Sequence, residues 1–272
     1  SHTQVHNTEH RDDILCLAVH PQGHTVATGE VGKKPIIVLW DANTGVTLRV
    51  IKFHKRGVNH LAFSGSGEML VSVGMDDDRM VAVHSVITGA VLGTGKAGRG
   101  ISVYTLSVGA DLHFTTGAKN FLKFWDLPGP KGVASELSSK KGLHGKNEGS
   151  KTVVSSCYLG DDAVTGMADG AIVLWKGRNS AKRITAHKGA VTCMTCVSDF
   201  ADKRSGGGDE SVFMVLSGGG DGKVFQWNNQ LKQLREINLA ECTPKSIDPK
   251  IQSIACMRNK LIVGTKACEI YD

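Results

Sequence analysis

Ile36-Ile37-Val38-Leu39-Trp40-Asp41 is an unbroken apolar run closed by an aromatic residue and an acid, and the phrase returns along the chain. It reappears as Met80-Val81-Ala82-Val83-His84-Ser85, with histidine in the aromatic place, and as Phe121-Leu122-Lys123-Phe124-Trp125-Asp126. Ala171-Ile172-Val173-Leu174-Trp175-Lys176 and Lys223-Val224-Phe225-Gln226-Trp227-Asn228 complete the series. The marked positions 40, 84, 125, 175 and 227 are separated by 44, 41, 50 and 52 residues. A repeat of about 40–45 residues ending in an apolar run plus Trp-Asp marks the blades of a β-propeller. The expected fold is therefore all-β.

Around each phrase lie other short apolar runs bounded by Gly, Asp or Pro, which read as strands and are too short for helices. In the first unit, strand a is Ile14 to Val19 and strand b is Thr25 to Gly29. Strand c ends at Trp40, and strand d is Thr47 to Ile51. Equivalent units start at Val58, Ile101, Val153, Val191 and Ile251, and the last stops at Tyr271-Asp272. The expectation is one domain over 1–272 with blades at 10–53, 54–97, 98–150, 151–185, 186–245 and an incomplete 246–272. Six four-stranded WD40-type blades would then belong to a seven-bladed ring left incomplete by truncation, because a propeller protects its strand edges by closing on itself. Residues 127–151 are expected to hold a strand d and a long connection, and residues 198–211 a polar, glycine-rich insertion.

A chain of 272 residues can bury a core without disulfide or metal staples. Glycine is plentiful (33) and proline scarce (6), which suits many strands joined by tight turns. Seven cysteines, an odd number and mostly single, fit reduced thiols inside the cell. No apolar run nears the roughly 18 residues that span a bilayer, and no secretory leader pattern opens the chain. A net charge of +6 admits an acidic partner without the dense basic patch of a nucleic-acid binder.

Within the blade frame, His187, Ser217, Asp221 and Trp227 fall where a turn carboxylate, a histidine, a strand-b hydroxyl and an indole N–H would satisfy one another when buried. Asp169 precedes Trp175 in the same way, and Asp78 stands six residues before His84. Trp40 and Trp125 close their strands, but Lys34 and Lys119 occupy the aspartate position, so no such brace is expected there. The trio His187, Ser217 and Asp221 also has the makeup of a hydrolytic site, but its place in the repeat makes it structural. Cys193 and Cys196, three apart on a strand, point to opposite faces and cannot share a metal. The glycine-rich stretches 206–208 and 218–222 lack the spacing of a phosphate loop. No cofactor, metal site or catalytic residue is expected.

Loops from strand d to the next strand a, and from b to c, leave a propeller on one rim. Lys33, Lys34, Lys55, Arg56, Arg99, Lys119, Lys146, Lys151, Lys188 and Lys223 lie in such loops, interrupted by Asp76-Asp77-Asp78. They form a candidate partner-binding rim for an acidic protein.

Finer wording narrows the kind of propeller. Cys16-Leu17-Ala18-Val19-His20-Pro21, Val26-Ala27-Thr28-Gly29, Arg56-Gly57-Val58, Leu61-Ala62-Phe63-Ser64 and Gly142-Leu143-His144-Gly145-Lys146 are telling. So are the run from Val164-Thr165-Gly166 to Leu174-Trp175 and the ending Leu261-Ile262-Val263-Gly264-Thr265. Through them the chain resembles the echinoderm microtubule-associated protein-like family of WD40-repeat proteins, most closely its N-terminal propeller. That resemblance implies a non-enzymatic cytoskeletal scaffold in the cytoplasm, whose partners are tubulin, microtubules or proteins linked to them. It implies no nucleic acid, membrane or small-molecule substrate. A general WD40 adaptor in signalling, trafficking or ubiquitin ligase assembly is the other reading.

Overall fold

The computed structural model describes residues 8–109, 113–128, 134–145, 149–197, 214–242, 248–257 and 260–272. The insertion expected at 198–211 and Lys146 lie outside them. The described chain is built of strands apart from one helix, α1, of four residues (Leu239–Cys242). It divides into two compact units, residues 1–116 with 123–140, and residues 117–122 with 141–272.

The first unit starts with a sheet of β1 (Ile14–Val19), β2 (Thr25–Glu30), β3 (Ile36–Asp41) and β4 (Thr47–Lys52), paired in chain order. The next holds β5 (Val58–Phe63), β6 (Met69–Gly74), β7 (Met80–Ser85) and β8 (Val91–Lys96). A third follows with β9 (Val103–Val108), β10 (His113–Ala118) and β11 (Phe121–Asp126). The chain then forms β12 (Ser135–Glu136) before returning to that third sheet as β13 (Ser139–Lys141).

β12 is an element the repeat pattern does not announce. It pairs parallel with β8, Ser135 opposite Gly93, and adds a fifth strand to the second sheet. Leu137 follows it into the core, 7% exposed, and its N–H bonds to the Thr94 carbonyl at 2.8 Å. The loop before β13 thus seals an edge that would otherwise expose backbone donors and acceptors.

The second unit contains β14 (Val153–Leu159), β15 (Asp162–Met167), β16 (Ala171–Lys176) and β17 (Asn179–Thr185). It continues with β18 (Val191–Val197), β19 (Met214–Gly219), β20 (Lys223–Trp227) and β21 (Gln233–Asn238), again in chain order. The sixth sheet has three strands, β22 (Ile251–Met257), β23 (Lys260–Thr265) and the two-residue β24 (Ile270–Tyr271).

The inner strands read as continuous apolar runs, not alternating ones, because sheets cover them on both faces. All six residues of β6 are buried. One layer joins the first two sheets through Ala27, Ile37, Leu39, Val58, Leu61 and Leu70. Leu17, Val19, Leu48 and Val50, from the outer strands of the first sheet, are exposed. Another layer joins the fourth and fifth sheets through Leu159, Val164, Ile172, Val191, Val215 and Phe225.

A recurring device ties neighbouring sheets inside each unit. The first strands of five sheets carry a register shift near their start, at Ile14/Cys16, Val58/His60, Val153/Ser155, Val191/Cys193 and Ile251/Ser253. A bulge of this kind leaves one residue out of the ladder and re-aims its side chain. Side chains at or just after the bulge reach the opening residue of the next sheet. Cys16 donates to the Val58 carbonyl at 3.2 Å, and His60 to that of Val103 at 3.0 Å. In the second unit Ser155 donates to Val191 at 2.6 Å and Thr192 to Ile251 at 2.5 Å. Cys193 packs against the layer of Ile251 and Cys196 against that of Cys157, so the two thiols face different layers.

Candidate binding surface and the braces beneath it

The brace of the fifth sheet shows how a turn is held rigid from below. His187 Nδ1 lies 2.9 Å from Asp221 Oδ1, and its Nε2 lies 2.9 Å from Ser217 Oγ. The Trp227 indole donates to the same Oγ at 2.9 Å, and the Lys188 N–H to Asp221 at 3.0 Å. A carboxylate accepts only, so His187 carries its proton on Nδ1 and its Nε2 accepts a hydrogen bond from the Ser217 hydroxyl. Burial holds the His187 pKa below the usual value, against the pull of Asp221. For Asp221 burial acts upward, but the N–H of Lys188, His187 and the N–H of Lys223 outweigh it, and its carboxyl stays below the usual range. Gly219 completes the fit, because a Cβ there would overlap the His187 ring. Ser217 is 0% exposed and already bonded on both sides, which leaves its hydroxyl no approach for a substrate.

The second sheet builds the same brace from different letters. His54 bonds Asp76 at 3.3 Å and Ser72 at 2.9 Å, and His84 stands in for tryptophan, 3.0 Å from Ser72 Oγ. The carboxylate is Asp76, not Asp78 as the six-residue spacing suggests; Asp78 pairs with Lys96 at 3.0 Å. The turn before β7 is two residues longer than that before β20, so counting forward from the serine finds the acid and counting back from the aromatic does not. The Asp76–His54–Ser72 order makes His84 Nε2 the donor, and its Nδ1 is buried without a partner. Burial, then the neighbouring His54, pushes the His84 pKa down to about 3.

The first sheet corrects the expectation that no brace forms there. Its carboxylate has moved from the turn to the end of β2. Glu30 is 4% exposed and lies 2.9 Å from His10 Nδ1, while His10 Nε2 and the Trp40 indole both reach Thr28 Oγ1, at 2.7 and 3.2 Å. The N–H groups of Arg11 (2.9 Å) and Ile36 (3.1 Å) also bond Glu30. Burial raises the Glu30 pKa, but these donors and His10 together carry it below the usual value. His10 stands 18 residues before Thr28, as His54 does before Ser72, and that spacing is the signal by which it could be found.

The remaining two braces are partial. Trp125 donates to Thr116 at 2.9 Å and stacks on Phe114, with Asn120 in the turn instead of an acid. Trp175 donates to Thr165 at 2.9 Å. Asp169 there serves Arg183 at 2.5 Å and the Ser150 N–H at 2.7 Å, and Gly149 occupies the place a histidine takes elsewhere.

Above the braces of the first unit the cationic loops are stitched in succession. The turn carrying Lys33 and Lys34 bonds the loop carrying Lys55 and Arg56, through Gly32 N–H to Arg56 O (3.0 Å) and Lys34 N–H to Lys55 O (3.2 Å). The N–H of Met75 bonds Gly57 O at 2.9 Å, and that of Gly98 bonds Asp78 O at 3.3 Å, which brings in the loop of Arg99. The aspartates that interrupt the basic loops in sequence are individually engaged: Asp76 by His54, Asp77 by Arg56 at 2.7 Å, Asp78 by Lys96. Lys33, Lys34, Lys55 and Arg99 are exposed.

In the second unit, exposed Lys188 adjoins the Asp221 turn, and Lys223 pairs with Glu236. Lys119 lies in the turn whose Asn120 N–H reaches Thr152, next to Lys151. Among the described residues no group of three or more His, Cys, Asp or Glu side chains could hold a metal. No helix among them is long and apolar enough to cross a membrane.

Six meander sheets, five with bulged first strands and five with hydroxyl-centred braces among the described residues, define a WD40-type β-propeller. Solved structures agree: the chain is similar to the WD40 repeats of RRP9 (TM-score 0.70, 20% identity, covering 97% of this chain and 76% of that one). It is also similar to the WD40 β-propeller domain of Doa1 (TM-score 0.66, 17% identity, 94% and 77%). The chain belongs to the echinoderm microtubule-associated protein-like family, since the family model "Echinoderm microtubule-associated protein first beta-propeller" matches residues 3–272. It is 32% identical over 260 residues to echinoderm microtubule-associated protein-like 1 of Homo sapiens, covering 88% of this chain and 29% of that protein. Against echinoderm microtubule-associated protein-like 2 of Rattus norvegicus it is 30% identical over 255 residues, covering 88% and 37%. The chain thus spans about a third of the length of these relatives.

Proposed function

We propose that this chain is a non-catalytic binding platform of a cytoplasmic, microtubule-associated protein, and that its basic loops contact tubulin or a microtubule-linked partner. The observation that carries the reading is the succession of hydrogen-bonded loops in the first unit. Lys33, Lys34, Lys55, Arg56 and Arg99 come together in these loops, while Asp77 and Asp78 are paired with Arg56 and Lys96 and Asp76 is hydrogen-bonded to His54. A fixed array of cations attracts an acidic surface without ordering long side chains from scratch. The names of the relatives, all microtubule-associated proteins, supply the cytoskeletal context. Lys119, Lys151, Lys188 and Lys223 extend the proposal to the second unit.

Replacing Lys33, Lys34, Lys55 and Arg56 together by glutamate tests it. Tubulin capture by the purified chain at about physiological salt is expected to fall tenfold or more, with retained β circular dichroism. Full capture by the folded variant would remove the rim from the account. A partner set without cytoskeletal proteins would replace the reading by that of a general WD40 adaptor.

A further inference from the structure

Beside the Lys33–Lys34 turn, the end of the first sheet folds inward into a cavity of about 340 Å3. Its lining carries four cations, Arg11, Lys33, Lys34 and Lys52, against three carboxylates, Glu9, Asp12 and Glu30. We propose that this cavity seats a glutamate side chain from an acidic segment of a protein partner. The inference rests on the basic-loop reading above and assigns that surface its anchoring point.

Three observations carry it. First, the walls are fixed by bonds that leave the four cationic side chains uncommitted. Glu30 holds the N–H groups of Arg11 and Ile36, Asp13 O holds that of Val31, and the loop of Lys55 and Arg56 holds those of Gly32 and Lys34. Lys34 is locked in a left-handed turn at φ 58. Among the described residues no ion pair engages Arg11, Lys33, Lys34 or Lys52. Second, the oxygens of Glu30 are engaged by His10 and two backbone N–H groups and not by the four cations, which stay available to an incoming anion. Third, the lining is mixed in the way a peptide needs: cations meet the carboxylate, and Asp12, whose other oxygen accepts the Asp13 N–H, can take a peptide N–H. Two or more cations around one carboxylate give the charge-assisted hydrogen bonds that define a preferred anion seat.

The cavity exists because the brace carboxylate of this sheet sits on β2. Were it in the turn, as Asp221 is in the fifth sheet, the turn would be drawn down over the histidine. The relocated Glu30 instead leaves the turn free to carry Lys33 and Lys34 in the cavity lining.

The test uses the full chain and a fluorescein-labelled hexaglutamate peptide, read by anisotropy at low salt (about 50 mM, where surface charge is least screened). Two double variants are compared. Arg11→Glu with Lys52→Glu changes the cavity only, and Lys55→Glu with Arg99→Glu changes the neighbouring loops only. Peptide affinity is expected to drop about tenfold or more in the first and by less than about threefold in the second. Lys52→Gln, milder for folding, is expected to give an intermediate loss. Unchanged affinity in the cavity pair overturns the inference, even if the loop pair weakens binding, and in that case the basic-loop reading stands. Absence of peptide binding to the unaltered chain overturns it too, as does tighter binding of a single-stranded hexanucleotide than of hexaglutamate. Tubulin capture by the Lys55→Glu, Arg99→Glu pair, which leaves the cavity lining intact, judges the basic-loop reading separately.

Discussion

Removing one hydroxyl from the centre of a brace should cost stability in proportion to the number of buried groups that depend on it. Ser217 serves two: it accepts from the Trp227 indole and donates to His187 Nε2, both at 2.9 Å. Ser217→Ala therefore orphans a buried donor and a buried acceptor. At about 1–3 kcal/mol for each unsatisfied group, the expected loss is about 2–6 kcal/mol. Thr165 provides the comparison inside the same unit, since it accepts from Trp175 while its own O–H only grazes the Met167 sulfur at 3.6 Å. Thr165→Val keeps the side-chain shape and orphans one indole N–H, for about 1–3 kcal/mol. Urea unfolding at pH 7.5, followed by tryptophan emission and by amide exchange in β19 and β15, measures both. The refuting results are a Ser217→Ala loss below about 0.5 kcal/mol, the scale of neutral surface changes, or a larger loss for Thr165→Val. Either would show that the hydroxyls sit at the indoles without supporting them.

Three further outcomes follow from the same geometry. His54, His84 and His187 all have folded pKa values below the ordinary 6.5, chiefly through burial, with His84 at about 3. The unfolded chain then binds more protons below pH 6.5, so stability is full above that pH and declines as pH falls from 6.5 towards 3. Each such histidine steepens the decline by up to about 1.4 kcal/mol per pH unit. Melting temperatures at pH 7.5, 6 and 5 check this, and His84→Gln should flatten the curve. Gly219→Ala forces a Cβ into the His187 ring and should destabilise by about 1–3 kcal/mol, the range for overpacking, as judged by the shift of the urea midpoint. Thiol alkylation at pH 8 should mark Cys268, which is exposed, well before Cys16, Cys193 and Cys196. Burial pushes those three up to about 12, 11 and 11, and the order of labelling by mass spectrometry decides.

The propeller was legible because each closing strand is buried on both faces, so its apolar run and final aromatic are dictated by packing and not by local choice. The hydrophobic phrase at Val81 to His84 was recognisable even with histidine at its end, for the same reason. The brace of the fifth sheet could be read residue by residue. Those of the first and second sheets could not, because turn length shifts the acid relative to the aromatic: Asp76 lies eight residues before His84 and Asp221 six before Trp227. Glu30 was hidden for a further reason. It works from the end of a strand, where an isolated glutamate in sequence looks like any solvent-facing acid. The parallel strand β12 had no hydrophobic repeat to announce it. Its stability comes from docking beside β8 and from burial of a single residue, Leu137. Nor could spacing show that Arg56 and Asp77 neutralise each other, since that pairing depends on two loops meeting in space.

The braces and the basic loops are one design problem seen from two sides. A turn that supplies its own carboxylate to a buried histidine must lie low over the sheet, and the residues it can present are those flanking the acid, as Lys188 and Lys223 flank Asp221. Moving the acid onto the strand, as at Glu30, removes that requirement. The turn above can then rise, adopt a left-handed residue at Lys34 and carry adjacent lysines beside an open cavity. The exchange has a cost that can be read: Glu30 must satisfy His10, Arg11 and Ile36 together, so the entry of the chain into β1 depends on one carboxylate. Glu30→Gln keeps the shape but puts an amide donor towards one of those three donors. It should therefore loosen the turn and Arg11 at once, weakening hexaglutamate binding more than Lys52→Gln although Glu30 is itself negative. An increase in affinity on removing that negative charge would instead mean that Glu30 acts on the peptide as a simple repulsive charge, and that the walls of the cavity do not depend on it.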